Sequence, residues 1–396
     1  MNNMNKRTFL SLLLCVCCLS FLHAERVDMQ QAGADVQGRK LNTALINSTI
    51  DRLNAHGGGT LFFPAGTYLT GSIHMKSNIT LELEAGATLK FSENFDDFLP
   101  YVEVRHEGIM MKSFQPLIYA VDAENITIKG EGTLDGQGKA WWTEFFRVLV
   151  DLRDNGKRNI NKYQPMFEKE NDLKALYAET NEDWHGTLDR RFFRPPFIHP
   201  IRCKNVRVEG VKIINSPFWT VNPEFCDNVT IKGITIHNVP SPNTDGINPE
   251  SCKNVHISDC HISVGDDCIT IKSGRDLQAR KLGVPCENIT ITNCTMLSGH
   301  GGVVIGSEMS GSVRKVTISN CVFDGTDRGI RIKSTRGRGG VVEDIRVSNI
   351  VMSNIKQEAV VLNLKYSQMP AEAKSERTPI FRNVHISGMT VTDVKT

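Results

Sequence analysis

An imperfect repeat dominates the sequence and restricts the folds open to it. Each copy begins with a polar residue, usually Asn, and continues with alternating Val or Ile and polar residues, as in Asn125-Ile-Thr-Ile-Lys-Gly and Asn228-Val-Thr-Ile-Lys-Gly. From Asn205 onward the copies start 23, 26, 34, 27, 29 and 39 residues apart. The alternation predicts strands that turn Val and Ile to one face. Because no convincing helical pattern separates the strands, the sequence disfavours a βαβ sheet and predicts an all-β solenoid, in which parallel strands stack coil on coil.

Two residue types, Asn and Cys, recur at fixed positions of this repeat. Asn recurs at the bend, where stacked side-chain amides can form a hydrogen-bonded ladder. Cysteines recur either two residues before the start of a repeat or six residues after it; these are Cys203, Cys226, Cys252 and Cys286, and then Cys260, Cys294 and Cys321. Stacking of small apolar side chains in the core explains this register, and a disulfide between neighbouring coils is the alternative.

The N-terminus has the pattern of a signal peptide over residues 1–24. Lys6 and Arg7 precede an apolar run at residues 9–22 that is too short for a comfortable membrane span. A lipoprotein signal is disfavoured because the cysteines here lie inside the apolar run. We therefore expect a protein that is secreted or periplasmic, with residues 25–396 forming one domain. The formal net charge of +2 gives no reason to expect nucleic acid or membrane as a partner, and we expect a monomer.

Two segments depart from the repeat. Residues 26–70 have the features of an entry into the first coils. Residues 139–198 form a long insertion that carries Trp141, Trp142 and Trp184, and its middle is expected to hold short helices. The insertion is either a decorative loop or a wall of a groove, and its length and aromatic content favour the wall. The sequence ends soon after the repeat at Asn383 without a recognisable cap, so we expect the domain to be truncated at its C-terminus.

Aligning the coils on their second strand brings four polar motifs into one column. Asp245 falls opposite Asp267, which follows it by 22 residues. Neighbouring coils lie about 4.8 Å apart, so these carboxylates should be close neighbours. In order along one groove, the alignment predicts Trp219, Asp245, Asp266 with Asp267, His300, and Arg331 with Lys333.

These residue types suit the hydrolysis of a glycosidic bond. That reaction needs one protonated carboxyl and one ionised carboxylate, and crowding of carboxylates raises the pKa of at least one of them. Arg331 and Lys333 can bind the carboxylate of an acidic sugar, and Trp219 can offer a ring face to a pyranose. Taken singly, the aspartates could be turn residues or half of a calcium site, and His300 a turn residue. Their convergence in one column favours a functional site.

The same motifs carry a family resemblance. Asn243-Thr244-Asp245, Gly265-Asp266-Asp267, Gly299-His300-Gly301 and Arg331-Ile332-Lys333 occur in the order found in glycoside hydrolase family 28, the polygalacturonase family, which the chain resembles most strongly from about residue 200 onward. The resemblance implies a right-handed single-stranded parallel β-helix. It also implies hydrolysis of α-1,4-galacturonosyl linkages in pectic polysaccharide, with inversion at the anomeric carbon and with no cofactor or metal.

The resemblance also assigns roles within the reaction. It implies that Asp266 is the general acid, that Asp245 and Asp267 position and deprotonate the water, and that His300 supports the acid. These four side chains form the predicted catalytic set.

Other residues are implied to bind the substrate. Arg331 and Lys333 match the residues that hold a galacturonate carboxylate on the leaving-group side, and Asn243 belongs to the first motif. Tyr366 is the candidate for a tyrosine that follows the Arg-Ile-Lys motif in the family. The insertion is expected to close one end of the groove and so to produce exo cleavage. The alternatives are a hydrolase of rhamnogalacturonan-type pectin, a calcium-dependent pectate lyase on the same fold, and a β-helix that binds carbohydrate without cutting it.

Overall fold

The computed structural model describes residues 25–155, 161–180, 187–366 and 372–395. The predicted signal peptide at residues 1–24 and Trp184 of the insertion lie outside the described residues. Among the described residues, no helix has both the length and the apolar character needed to cross a membrane.

Strands are the main secondary structure of the described residues. In chain order the strands are β1 Glu25–Asp28, β2 Gly59–Phe63, β3 Gly66–Thr70, β4 Ile73–His74, β5 Ile79–Leu83, β6 Ala87–Phe91, β7 Val102–His106, β8 Ile109–Ser113, β9 Ile118–Val121, β10 Glu124–Gly130, β11 Thr133–Asp135, β12 Ile198–Ile201, β13 Lys204–Glu209, β14 Lys212–Ile214, β15 Asp227–Lys232, β16 Thr235–His237, β17 Lys253–Ser258, β18 His261–Ser263, β19 Asp267–Ile271, β20 Cys286–Thr292, β21 Thr295–Ser298, β22 Gly301–Ile305, β23 Val313–Asp324, β24 Ile330–Lys333, β25 Val341–Ser353, β26 Val360–Asn363 and β27 Ile380–Val391. The helices are α1 Thr43–Ala55, α2 Lys139–Asn155, α3 Tyr163–Glu170, α4 Leu173–Ala178 and α5 Asp276–Leu282, with a 3₁₀ turn at Phe95–Phe98.

The strands stack in three parallel columns, one on each side of a coil. The first column runs from β1 through β2, β5, β10 and β13 to β27, and the second begins with β3, β6 and β11. The third column begins with β4, β9 and β12 and ends with β19, β22, β24 and β26. Between β12 and β19 lie two coils that join the column through isolated parallel bridges at Val221 and Ile247. Because every pairing in these columns is parallel, the predicted parallel β-helix is confirmed.

The core lies inside the coils, where the inward side chains of successive strands stack. Ile231, Ile257 and Ile291 occupy one position in three adjacent coils, and each is fully buried. All eight cysteines of the described residues are buried and free, so stacking accounts for their register and the alternative of disulfides between coils is not realised in this structure.

The predicted asparagine ladder is also present. The side chain of Asn125 donates to Asn78 at 2.8 Å, Asn205 donates to Asn125 at 2.7 Å, and Asn228 donates to Asn205 at 2.7 Å. Each of these residues has a positive φ, between 55° and 62°. Asn tolerates this left-handed conformation better than most residues, which explains its recurrence at the bend.

Two helices and a hairpin were not predicted from the repeat. Helix α1 buries Ile46, Ile50 and Leu53 against β2, β4 and β5. These apolar residues are four and three positions apart, a spacing that is typical of a helix and that the strand-based prediction missed. Helix α5 lies in the longer connection that follows β19. Strands β7 and β8 form the one antiparallel pair among the described strands. Helices α2, α3 and α4 lie within the insertion, as the sequence predicted.

The β7–β8 hairpin is fastened to the third column by a buried arginine. The Arg105 guanidinium lies 3.5 Å from Glu224 and 3.4 Å from Glu250, and it donates to Ser251 at 3.0 Å. Glu224 and Glu250 occupy the same position in adjacent coils, and both are fully buried. One cation therefore stands against two stacked acids, and burial, followed by the charge of Glu250, raises the pKa of Glu224 well above its ordinary value.

Candidate active site

The registers of the third column place the predicted residues as the alignment required. Ile247 bridges Ile269, which sets the offset of 22 residues between Asp245 and Asp267. Asp267 pairs with Gly301, and Val304 pairs with Arg331. The predicted sequence of side chains along one face of the coil is therefore found in the structure.

Three aspartates converge at the centre of this face. One carboxylate oxygen from each of Asp245, Asp266 and Asp267 lies within 4.8 Å of the others. The side chains of Asp245 and Asp267 are 4% and 1% exposed, whereas that of Asp266 is 18% exposed. Asp266 is thus the member of the cluster that a large substrate can reach most directly.

The bend that carries Asp266 depends on a glycine. A Cβ atom on Gly265 would lie 1.8 Å from the Ser241 carbonyl oxygen of the preceding coil. Since no larger residue fits, glycine allows the two coils to touch here, and the bend can turn Asp266 outward while Asp267 enters β19.

Polar side chains on the neighbouring strands orient Asp245. Asn248 donates to Oδ2 of Asp245 at 3.0 Å, and Thr270 donates to the same oxygen at 3.3 Å. Lys272 Nζ lies 3.8 Å from this oxygen. Burial raises the pKa of Asp245 well above its ordinary value, and the charge of Asp266 raises it further.

Asp267 is paired with the lysine of the last motif. Lys333 Nζ donates to Oδ2 of Asp267 at 2.6 Å, and the lysine side chain is 5% exposed. The other carboxylate oxygen, Oδ1, is buried and has no hydrogen-bond partner among the described residues. A Cβ atom on Gly301 would lie 3.4 Å from this oxygen, so glycine keeps the space above it open.

His300 contacts the most exposed aspartate. Its Nδ1 lies 3.1 Å from Oδ1 of Asp266, and its backbone N–H donates to the Asp266 carbonyl at 2.8 Å. The hydrogen bond to Asp266 raises the pKa of His300 to about 8. Burial would raise the pKa of Asp266, but the hydrogen bond from His300 and the charge of Lys333 outweigh it, and this pKa lies below its ordinary value.

This contact predicts a titration that can be measured directly. We expect the His300 imidazole to titrate near pH 8 in NMR spectra of the protein, because the ionised Asp266 stabilises the imidazolium. Any stabilisation of the fold from this pair should be present at pH 6 and disappear as the pH rises through 8. In Asp266→Asn the His300 pKa should fall towards its ordinary value, whereas in Asp122→Asn it should stay near 8. An unchanged titration in Asp266→Asn would contradict the pairing.

The basic motif and the candidate tyrosine lie together beyond the aspartates. The Arg331 guanidinium carbon lies 5.5 Å from the ring centroid of Tyr366, and Lys333 Nζ lies 4.8 Å from the same centroid. Arg331 is half-buried, and Tyr366 is 42% exposed. An arginine, a lysine and an exposed phenol ring thus form one wall beside Asp267.

The role predicted for Trp219 needs correction. The residue neighbours Asp245 as the alignment required, because the Thr220 backbone N–H donates to the Asp245 carbonyl at 2.8 Å. However, Trp219 is 4% exposed, Lys272 Nζ lies 4.5 Å from its ring centroid, and Phe218 stacks against it at 5.1 Å. With its faces covered in this way, the ring packs beneath the site and does not offer a platform to a sugar.

Asn243 links the aspartates to the insertion. Its Nδ2 lies 3.5 Å from Oδ2 of Asp266, and its Oδ1 accepts from Arg194 at 2.7 Å. Arg194 is buried and also donates to the carbonyls of Pro217 and Pro242. The predicted motif residue Asn243 therefore contacts the acid cluster, and the end of the insertion fixes its orientation.

Sequence reasoning missed several charged residues of the site, above all Lys272, Glu308 and Arg194. A signal for this buried charge was present: Asn222-Pro223-Glu224 recurs as Asn248-Pro249-Glu250, and the next coil places Lys272 at the position of the two glutamates. Glu308 had no comparable signal. The structure places it in the site, where its Oε2 accepts from Lys272 Nζ at 2.7 Å.

The insertion forms a pocket on the opposite side of the aspartates from Arg331. The pocket has a volume of about 90 Å³, and its lining includes Asn243, His106 and Glu107 of the hairpin, and Arg190 and Arg194 of the insertion. The groove therefore has basic side chains on both sides of the aspartate cluster.

Comparison with known proteins identifies the family. The family model described as "Glycosyl hydrolases family 28" matches residues 184–396, more than half of the chain. The chain is similar to a "Probable polygalacturonase" of Vitis vinifera, with 32% identity over 84% of this chain and 62% of the relative. It is also similar to an "Endo-polygalacturonase" of Pectobacterium parmentieri, with 32% identity over 81% of this chain and 73% of the relative. The chain thus spans less than two thirds of the grapevine protein's length.

Solved structures agree with the sequence comparison. The crystal structure of a hyperthermoactive exopolygalacturonase from Thermotoga maritima superposes with a TM-score of 0.81 and 38% identity, covering 94% of this chain and 82% of that one. Together with the family match and the geometry of the third column, this similarity shows that the chain belongs to glycosyl hydrolases family 28.

Proposed function

We propose that the chain hydrolyses α-1,4-galacturonosyl linkages in pectic polysaccharide. The observation that carries the proposal is the cluster of three aspartates beside Arg331 and Lys333, because it joins acid–base groups to a site for an acidic sugar. The similarity to polygalacturonases supports the same substrate class. We further propose that the protein is exported, with residues 1–24 as the signal and 25–396 as one domain, and that it acts as a monomer without metal or cofactor.

Asp266 is assigned the general acid, because it is the most exposed aspartate and contacts His300. Asp245 and Asp267 are assigned the positioning and deprotonation of the attacking water, because they are buried neighbours on adjacent coils. In addition, one carboxylate oxygen of Asp267 has no hydrogen-bond partner among the described residues. Proton transfer from Asp266 to the glycosidic oxygen breaks the bond to the leaving sugar, while water attacks the anomeric carbon and gives its proton to the aspartate pair.

As the general acid, Asp266 must carry a proton when the substrate is bound. In the free enzyme the raised pKa of Asp245 and the lowered pKa of Asp266 favour a proton on Asp245. Lys333 is one of the groups that lower the pKa of Asp266. A sugar carboxylate bound at Arg331 and Lys333 would offset that charge and raise the pKa of Asp266, so the substrate itself would help to protonate the acid.

Inversion is proposed from the family resemblance. The carboxylate oxygens lie within 4.8 Å of one another, a separation closer to the ~5–5.5 Å of retaining glycosidases than to the ~6.5–9.5 Å of inverting ones. The two buried aspartates leave Asp266 to act alone on the leaving group, which suits attack by water in a single step. Proton NMR of the first product from a defined oligogalacturonide tests the stereochemistry. A product released as the β-anomer supports inversion of the α-linkage, and a product released as the α-anomer contradicts it.

The calcium-dependent lyase is disfavoured by the charge of the site. Lys333 and Lys272 lie 2.6 and 3.8 Å from the carboxylates that a calcium ion would need. Two buried ammonium groups at these distances compete with a divalent cation. Unsaturated products that absorb in the ultraviolet would nevertheless identify a lyase in the same product assay.

The pocket beside Asn243 supports exo action. Its lining residues Arg190 and Arg194 come from the insertion, so a chain that enters from the side of Arg331 would end there. We expect slow loss of viscosity from polygalacturonate, with one short product throughout the reaction. We also expect Arg190→Met to raise KM by about tenfold or more, because a charge-assisted hydrogen bond contributes about 1.5–3 kcal/mol. Arg207→Met, on an exposed strand, is the matched control. Rapid viscosity loss with mixed oligomers would contradict exo cleavage.

A further inference from the structure

Lys272 is a buried cation that the assigned roles leave unused. It follows β19, and its side chain is 4% exposed. Its Nζ lies 2.7 Å from Oε2 of Glu308, 3.8 Å from Oδ2 of Asp245 and 4.5 Å from the Trp219 ring centroid. Burying an ammonium group is costly unless nearby anions compensate for the lost solvation. Such a cost at the edge of the aspartate cluster suggests a role in the reaction.

We propose that Lys272 is a positioning residue that serves as the counter-ion of Asp245, and that Glu308 holds it in that place. The inference rests on the proposed function. It gives each buried aspartate of the cluster its own lysine: Lys272 stands beside Asp245, and Lys333 beside Asp267.

Glu308 is itself held between two cations. Its Oε1 lies 3.3 Å from Arg338 Nη1 and accepts from the Ser307 hydroxyl at 2.9 Å. Because Glu308 takes the shorter contact with Lys272, the ammonium stays 3.8 Å from Asp245 and does not close to hydrogen-bond distance. Lys272 therefore acts on Asp245 through its charge, while Asn248 and Thr270 orient the carboxylate.

The charges around the pair predict how the cluster titrates. The groups that face Asp245 or Lys272 are Asp266, Asp267, Lys333, Glu308 and Glu107, with Arg338 and Arg275 acting on Glu308 and His300 on Asp266. Burial raises the pKa of Asp245, and Lys272 is the strongest of the groups that oppose this shift. Since the aspartates titrate as a unit, loss of the lysine should raise the pH at which the whole cluster gains or loses a proton.

The test is the pH dependence of kcat/KM on trigalacturonate. In Lys272→Met we expect both limbs of the profile to move to higher pH, by roughly one to three units, the usual effect of an opposite charge at this distance. In Glu308→Gln, where a negative charge is lost and Lys272 is released, both limbs should move to lower pH. Lys272→Arg keeps the charge and should restore a profile close to that of the wild type.

Lys281→Met is the matched control, because Lys281 is 61% exposed and pairs with Glu179 on the surface; its activity and profile should equal those of the wild type. Profiles of Lys272→Met and Glu308→Gln that keep the wild-type limbs would overturn the inference, even if both rates fall. If Lys272→Met does not fold, as judged by circular dichroism, the direction of the Glu308→Gln shift decides. A wild-type protein that leaves trigalacturonate and polygalacturonate intact would instead overturn the proposed function, and the inference with it.

Discussion

Replacing Asp266 with Asn is expected to lower kcat on oligogalacturonate by about 10²–10⁴-fold, the usual contribution of a general acid. The side chain keeps its size, so the fold and the binding of substrate should persist. Initial rates of reducing-sugar release measure the loss, and calorimetric titration with oligogalacturonate measures binding. Asp122→Asn, at an exposed aspartate on the surface, should retain the wild-type rate.

A substrate with a good leaving group separates the acid from the groups that activate water. A nitrophenyl galacturonide needs little protonation, so Asp266→Asn should regain most of its activity on it, whereas Asp245→Asn and Asp267→Asn should not. This comparison bears directly on the protonation of the free enzyme, in which Asp245 has the raised pKa. Recovery in Asp245→Asn and not in Asp266→Asn would exchange their roles.

Replacing Arg105 with Met is expected to lower the free energy of unfolding by about 3–5 kcal/mol, the usual cost of removing one partner from a buried ion pair. The substitution leaves Glu224 and Glu250 stacked and fully buried without their cation. Urea denaturation at pH 8 gives the loss. Arg202→Met is the matched control: Arg202 also contacts two acids but is 41% exposed, so its loss should cost less than about 1 kcal/mol.

The cost of Arg105→Met should depend on pH with a definite sign. Burial and Glu250 already raise the pKa of Glu224 in the folded protein, and removal of the arginine should raise it further. A raised pKa of an acid in the folded state penalises folding above its unfolded pKa, and the penalty fades as the pH falls. The difference from the wild type should therefore be smaller at pH 5 than at pH 8. An equal difference at both values would indicate lost packing rather than an uncompensated charge.

The fold was largely predictable because the repeat registers determine it. Alternating Val and Ile residues identify the strands, and the 22-residue offset between Asp245 and Asp267 alone predicts the cluster. Helix α1 and the β7–β8 hairpin escaped prediction, since their residues follow no repeat. Their positions depend on which open end or face of the coil their apolar side chains cover.

The candidate site was predictable only in part. Motif residues such as Asp266 and His300 lie where the alignment placed them. Lys272 and Glu308 could not be assigned, because the value of a buried charge depends on partners that come together only when the coil closes. Trp219 was placed correctly but given the wrong environment: the alignment sets the position of a side chain along the groove, and it does not show what covers that side chain.

The steps between coils differ in length while the rungs of the third column stay in register. The step from Asp245 to Asp267 takes 22 residues, and the step from Asp267 to Gly301 takes 34, with helix α5 accommodated outside the coil. Added residues leave the stack at a turn and rejoin it at the same rung. The turns that form the walls of the groove can therefore vary independently of the strands that carry the aspartates. Exchange of a turn can change which polymer the groove admits while the aspartates remain in place.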